Sequence, residues 1–172
     1  MPGECAAVSE VAGYRVITLD SLVPGEVYGL ISVPQLAWLQ DLLAEPAPAG
    51  SVVILHHPPV ALSRSPQSWA GLRNADALAA VIAGSDVEAV LCGHFHSQLA
   101  GRLGGVPVWV GPAAVNRIDL SAPDNIDRVV RGGGVTVADL GGPFSPLFHV
   151  VQARDPRAGE LLYTYDGTAP GS

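Results

Sequence analysis

The first half of the chain alternates between continuous apolar runs and stretches whose apolar residues recur at helical spacing. Three runs rich in β-branched residues predict strands: YRVITLD from Tyr14 to Asp20, SVVILHH from Ser51 to His57, and VEAVLCGH from Val87 to His94. The second and third runs have the unbroken apolar character of strands buried on both faces. A Pro-Pro pair ends the second run, because proline cannot continue a ladder of hydrogen bonds.

Two amphipathic helices separate these predicted strands. SVPQLAWLQDLLAE begins at Ser32, which has the spacing of a capping box with Gln35, and its leucines recur at helical period. NADALAAVIAG begins at Asn74, a residue type suited to the N-cap, and stops at Gly84. The order strand, helix, strand, helix, strand predicts the α/β class.

From Ser97 onward the pattern predicts strands without helices between them. QLAGRL, VPVWVG, PLFHVVQA and ELLYTYD have strand character and are separated by Gly and Pro, which predicts hairpins. The segment from Ala114 to Pro143 has no clear period. We expect it to be a long surface loop with one short ordered piece.

The composition is that of a globular chain. The 172 residues are 48% apolar and 15% charged, and a chain of this length can bury a core as one domain. A net charge of −7 excludes a surface that coats nucleic acid, because such surfaces are basic. Cys5 and Cys92 form no disulfide framework, and neither a targeting segment nor an apolar run of the ~20 residues of a membrane helix is present. We therefore expect a cytoplasmic protein with no membrane partner.

Four of the five histidines lie at the ends of the second and third predicted strands. His56 and His57 are adjacent, whereas His94 and His96 are two residues apart and project to one side if the backbone is extended. Imidazole is the commonest metal ligand, and neighbouring strands of an α/β sheet end at one edge, so three or four imidazoles are expected to converge there. The alternative for each motif is structural: a histidine that caps a strand end or donates to a backbone carbonyl.

An apolar run ending in HHPP, followed by an apolar run ending in GHxH, resembles the C-terminal half of the calcineurin-like metallophosphoesterases. The segments ITLDSLVPGEVYGLISVPQLAWLQDLLAE and DVEAVLCGHFHSQLAGRLGGVPVWVGPA are most similar to the class III cyclic nucleotide phosphodiesterases of that family. The resemblance covers about Tyr14 to Ala114, with weaker support as far as Tyr165. It implies an α/β fold that is the C-terminal half of a four-layer αββα sandwich, and a single partial domain over residues 1–172.

The resemblance also implies a centre of two divalent metal ions, drawn from Mn, Fe, Zn or Co and bridged by a carboxylate and a hydroxide. Such ions typically lie about 3.5–4 Å apart, activate water and neutralise charge on phosphoryl oxygens. Carried over position by position, His56 and His94 ligate one metal and His96 the other. His57 is not a usual ligand and is expected to lie behind the ligands or to bind the substrate.

The remaining ligands of the family lie in the motifs D-x-H, G-D and G-N-H-D/E, and none of these occurs in the 172 residues. We therefore assign no catalytic residue to this chain and expect it to hold at most one metal ion weakly. Two functions stay open. One is the C-terminal portion of a metal-dependent phosphodiesterase that hydrolyses diesters such as 3′,5′-cyclic nucleotides by metal-bound hydroxide. The other is a non-catalytic fragment or accessory subunit that binds a metal or a partner chain.

Overall fold

The computed structural model describes residues 5–61, 65 and 68–166, and eleven strands lie within these ranges. The strands are β1 (Ala7–Val11), β2 (Tyr14–Thr18), β3 (Gly50–Ile54), β4 (Val87–Cys92), β5 (Leu99–Leu103), β6 (Val106–Val110), β7 (Asn116–Asp119), β8 (Asp127–Arg131), β9 (Gly134–Asp139), β10 (Leu147–Gln152) and β11 (Leu161–Tyr165). Helices α1 (Val33–Leu42) and α2 (Ala75–Ile82) connect the parallel strands, and a 3-10 turn (Ser68–Ala70) precedes α2. The described part holds no helix that is long and apolar enough to span a membrane.

A six-stranded sheet in the order β1-β2-β3-β4-β6-β5 forms the centre of the molecule. Strands β2, β3, β4 and β6 are parallel, and β1 and β5 flank them as antiparallel neighbours. The predicted α/β class is confirmed, with α1 joining β2 to β3 and α2 joining β3 to β4. Because the first three of these strands run the same way, their carboxyl ends lie at one edge of the sheet.

Both helices pack on one face of the central sheet. Ile17, Val53 and Val90 are neighbours across β2, β3 and β4 on this face, and each is fully buried. They join Leu39 of α1 and Leu78 of α2 in a single hydrophobic core. Full burial of one such side chain stabilises the fold by about 1.5–3 kcal/mol, so this face holds the parallel strands in place.

The opposite face is covered in part by the hairpin of β9 and β10. Val108 is buried on the helix side of the sheet, and Val110 is buried towards the loops at the end of the strand. Because successive side chains of a strand alternate between faces, the intervening Trp109 projects to the other face. Its ring stacks on Phe148 of β10 with centroids 5.5 Å apart, and its indole N–H donates to the Thr136 hydroxyl at 2.9 Å. Helices, central sheet and hairpin therefore form successive layers of a partial α/β sandwich, and β7, β8 and β11 form a separate three-stranded sheet.

The prediction of a loop from Ala114 to Pro143 is wrong, because β7, β8 and β9 lie within it. Strand β8 contains the adjacent buried residues Val129 and Val130, so it has no alternation to reveal it. Its neighbours, β7 just before it and β11 late in the chain, supply the pairing that its own sequence does not indicate. The sequence pattern also does not predict β1, because all five of its residues are exposed and none marks a buried face.

The predicted cap of α1 is present, but the capping box is not reciprocal. The backbone N–H of Gln35 donates to the Ser32 hydroxyl at 3.2 Å. The Gln35 side chain does not return to Ser32. It is 1% exposed and forms two hydrogen bonds with the backbone of Asp20, accepting from N–H and donating to C=O at 2.8 Å each. Gln35 therefore fixes the chain at the end of β2.

Asn74 occupies the predicted N-cap of α2 without capping it. Its side-chain oxygen accepts the N–H of Ile31 at 3.1 Å, and its amide donates to the C=O of Ile31 at 2.8 Å. The competing backbone partner explains why the cap is absent. Gly84 follows the helix with φ of 74°, as expected of a glycine at a helix end.

We expect Gln35→Ala to lower the free energy of unfolding by about 2–4 kcal/mol. The substitution leaves the N–H and C=O of Asp20 without their side-chain partner in a partly buried setting, and each unmet group costs about 1–3 kcal/mol. Urea unfolding measures the loss. Gln40→Ala, on the exposed side of the same helix, is the matched control and should change stability by less than about 0.5 kcal/mol. Equal effects of the two substitutions would contradict the role of Gln35.

Candidate metal centre

The hydrogen-bond ladder between β3 and β4 continues past both strands and positions the histidine motifs. Leu55 N–H donates to Leu91 C=O, and Gly93 N–H donates to His56 C=O, at 3.1 Å each. His56 is thereby fixed beside the start of the GHFH motif. Its Nε2 lies 3.1 Å from Nδ1 of His94, and the two ring centroids are 4.9 Å apart. The structure thus brings His56 and His94 together.

The third imidazole of this group belongs to His57. One nitrogen from each of His56, His57 and His94 lies within 4.8 Å of the others. His57 is 4% exposed, and its Nδ1 lies 2.8 Å from the hydroxyl oxygen of Ser21, which also accepts the backbone N–H of His57 at 3.3 Å. Gly29 leaves room for the ring, since a Cβ at that position would overlap it.

The backbone at the GHFH motif is turned and not extended. His94 has φ of 70° and His96 has φ of 48°, both in the left-handed region that side-chain-bearing residues rarely adopt. The chain must turn here, because the antiparallel strand β5 begins at Leu99. Hydrogen bonds from Phe95 N–H to Gly93 C=O at 2.8 Å and from Ile118 N–H to His96 C=O at 3.1 Å hold the turn.

His96 lies next to the group of three imidazoles but outside it. Its Nδ1 is 2.5 Å from the side-chain oxygen of Asn116, the first residue of β7. Burial is the main cause that lowers the pKa of His56 and of His94, and the proximity of His96 adds to the effect in both cases, so His96 shares the local environment of the cluster. The structure therefore groups His56, His57 and His94 in one cluster and holds His96 beside it through a separate contact with Asn116.

Burial keeps the clustered imidazoles neutral. The pKa of His94 falls to about 4, mainly through burial and further through the neighbouring imidazoles. Burial also lowers the pKa of His56, with His96 adding to the effect, and the pKa of His57, with His56 adding to it. A neutral imidazole has a free lone pair, which is the form that binds a metal.

The donor set fits a borderline divalent cation. Two imidazole nitrogens at ~2.0–2.1 Å from a tetrahedral zinc lie roughly 3.3–3.4 Å apart. The 3.1 Å separation of the His56 and His94 nitrogens is close to this value. The carboxylate of Asp20 is near, but its oxygens accept the N–H groups of Leu22 at 2.9 Å and Cys5 at 3.1 Å.

An open groove of about 550 Å³ leads to this cluster. Thr18, Ile54 and Leu91, adjacent across β2, β3 and β4, form its floor on the face opposite the helices. His56 and His57 lie at its end. A second cavity of about 330 Å³ opens beside His96. The groove thus gives a small molecule access to His56 and His57, and the second cavity gives access to His96.

Sequence reasoning missed two residues that contact these imidazoles. Ser21 follows a predicted strand, and its position just past a strand end was an available signal. Asn116 gave no signal, because its segment lacked any period and β7 depends on pairing with β8. Neither residue belongs to a histidine motif.

Comparison with known proteins identifies relatives of this chain. No family model matches the chain. A probable cyclic nucleotide phosphodiesterase of Rhodococcus erythropolis is 46% identical over 114 residues, which are 66% of this chain and 38% of that protein. A cAMP/cGMP dual specificity phosphodiesterase of Mycobacterium tuberculosis is 40% identical over 114 residues, 66% of this chain and 36% of that protein. The 3′,5′-cyclic adenosine monophosphate phosphodiesterase CpdA of Escherichia coli is 37% identical over 87 residues, 50% of this chain and 32% of that protein.

The chain resembles the calcineurin-like metallophosphoesterases, and its similarity to these cyclic nucleotide phosphodiesterases bears out the resemblance that the motifs predicted. It corresponds to the C-terminal region of this family of hydrolytic phosphoesterases, as the HHPP and GHxH motifs predicted. The matched segments span less than two fifths of the length of each of these three relatives. The metallophosphoesterase family implies divalent metals, and the histidine cluster is a group that can hold one.

We expect the stability of the chain to fall as the pH drops from about 6.5 towards about 4. The fold depresses the pKa of His94 from 6.5 to about 4, so within this window the unfolded chain binds a proton that the folded chain does not. The stability associated with the unprotonated His94 is fully present above about pH 6.5 and is lost as the pH approaches 4. Since the site is partly open to solvent, we expect a loss of about 1–2 kcal/mol, below the full linkage value.

Urea unfolding at several pH values between 7.5 and 4 measures this loss. His94→Gln should flatten the dependence, whereas His149→Gln, on the exposed strand β10, should leave it unchanged. Identical slopes for the wild-type chain and His94→Gln would contradict the assignment.

Proposed function

We propose that this chain supplies the histidine ligands of a metal-dependent phosphodiesterase that hydrolyses a small phosphodiester such as a 3′,5′-cyclic nucleotide. The convergence of neutral imidazoles at the ends of β3 and β4 is the observation that carries the proposal. The names of the relatives from Rhodococcus, Mycobacterium and Escherichia support the substrate class. The substrate is thus proposed from relatives that the chain matches only in part.

The proposed ligand set follows the motifs. His56 and His94 hold one cation through nitrogens 3.1 Å apart, and His96 holds a second. His57 is buried and its Nδ1 is engaged by Ser21, which favours a supporting place behind the ligands over contact with the substrate. Mn, Fe, Zn and Co all suit imidazole ligands of this kind.

Divalent metals in such a centre supply an activated water and neutralise charge on the phosphoryl oxygens. The residues of this chain would hold the metal ions and orient the ligand imidazoles. Burial keeps His56 and His94 unprotonated, and the ladder from Gly93 to His56 fixes their separation. The open groove along Thr18, Ile54 and Leu91 gives a diester access to the cluster. No carboxylate among the described residues joins the cluster of His56, His57 and His94. A carboxylate that bridges two metal ions would therefore come from other residues.

The proposal includes a cytoplasmic location and a single partial domain. Both cysteines in the described residues are free, and burial raises the pKa of the Cys92 thiol, which keeps it protonated and unreactive. A reducing compartment suits such a chain. Residues carrying the D-x-H, G-D and G-N-H-D/E motifs, in the same polypeptide or in a partner chain, would complete the centre.

Metal binding tests the proposal first. Titration of Co²⁺ into the purified chain, followed by visible absorption and calorimetry, should detect one weak site. His94→Ala should weaken binding at least tenfold, because it removes a ligand nitrogen. His149→Ala removes an imidazole outside the cluster and should leave binding unchanged. Equal binding by the wild-type chain and His94→Ala would overturn the assignment of the site.

Hydrolysis tests the second step. With Mn²⁺ present, we expect no turnover of bis(p-nitrophenyl) phosphate or cyclic AMP by the 172 residues alone, because the bridging carboxylate is missing. Addition of a polypeptide bearing the three carboxylate motifs, fused or separate, should give turnover, and His94→Ala should then abolish most of it. Failure of every such combination would favour a non-catalytic accessory chain. Robust turnover by the chain alone would contradict the requirement for further ligands.

A further inference from the structure

His96 contacts Asn116, a residue of β7 that belongs to neither histidine motif. The side-chain oxygen of Asn116 lies 2.5 Å from Nδ1 of His96. A carbonyl oxygen only accepts hydrogen bonds, so Nδ1 must carry the proton in this arrangement. In the neutral ring the other nitrogen, Nε2, then keeps its lone pair.

The backbone around this contact is held from two sides. Ile118 N–H donates to the C=O of His96 at 3.1 Å, which ties β7 to the turn that carries the imidazole. Asn116 itself is paired with Arg131 in the sheet formed with β8. The asparagine therefore meets His96 from a strand that is anchored both to β8 and to the turn of the GHFH motif.

We propose that Asn116 is a positioning residue for His96, which holds the imidazole in the Nδ1–H tautomer and leaves Nε2 as its ligand nitrogen. Water favours the opposite tautomer for a neutral histidine side chain, so a dedicated acceptor is needed to reverse the preference. Outer contacts of this kind fix the tautomer and orientation of metal-binding histidines, and their loss typically costs about 10–100-fold in metal affinity. The ligand role of His96 rests on the proposed function, whereas its tautomer does not.

Nitrogen-15 NMR of the metal-free chain at pH 7.5 tests the tautomer. Two-bond proton–nitrogen correlations should identify His96 as protonated on Nδ1, with the exposed His149 as the internal reference for the ordinary tautomer. Asn116→Ala should shift His96 to the Nε2–H form, and Asn116→Asp, which also presents an acceptor oxygen, should restore Nδ1–H. Asn125→Gly, an exposed asparagine with φ of 66°, is the control and should change nothing at His96. An Nε2–H tautomer in the wild-type chain would overturn the inference.

A Zn²⁺ titration followed at the same resonances tests the ligand role separately, with the polypeptide that bears the D-x-H, G-D and G-N-H-D/E motifs added so that the second metal position can form. The Nε2 signal of His96 should respond to Zn²⁺ in the wild-type chain, and the response in Asn116→Ala should require at least tenfold more metal. Equal responses in the two chains would overturn the positioning role. A response at His56 and His94 with none at His96 would remove His96 from the ligand set. No response at any histidine would instead refute the proposed metal centre, with the tautomer measurement still deciding the role of Asn116.

Discussion

The parallel alignment of β3 and β4 is the constraint on which the site depends. The two strands pair up to Ile54 and Leu91, and the hydrogen bond from Gly93 to His56 extends the pairing to the histidines themselves. A slip of one residue would turn His56 to the other face of the sheet and separate it from His94. The buried contacts of Val53 and Val90 with both helices prevent that slip, so the core that stabilises the fold also sets the distance between the ligands.

Side-chain amides act as fixed connectors around this alignment. Gln35 holds the backbone of Asp20, and the next residue, Ser21, contacts His57. Asn116 plays the corresponding part for His96 from β7. A polar side chain that forms hydrogen bonds to the backbone or to an imidazole ring has few accessible rotamers. Such contacts give imidazoles on loops a defined orientation. The supporting contacts thus come from segments far from both motifs in sequence.

The sequence predicts the parallel half of the fold well, because each element there is defined by its own composition. Continuous apolar runs mark β3 and β4, and helical spacing marks α1 and α2. It fails between Ala114 and Pro143, where β7, β8 and β9 owe their existence to pairing with one another or with strands late in the chain.

The same division applies to the site. The motifs predict that three or four imidazoles converge at the sheet edge, and His56, His57 and His94 form one cluster there with His96 beside it. They do not reveal the left-handed turn at His94 and His96, because no local signal distinguishes it from an extended strand. They also do not reveal Asn116, since a lone polar residue has meaning only once the sheet has brought it beside a ring.

At His94 and His96 the left-handed backbone favours glycine for stability, whereas metal binding requires an imidazole. A side-chain-bearing residue held in such a conformation costs of order 1–3 kcal/mol, and glycine at the same place would be relaxed. Selection for stability alone would therefore replace these histidines with glycine, the one residue that adopts the turn freely but has no ligand atom. Histidine at both positions means that the fold carries this backbone energy in its resting state, and that the tight helix-backed core must outweigh it before any metal or substrate is bound.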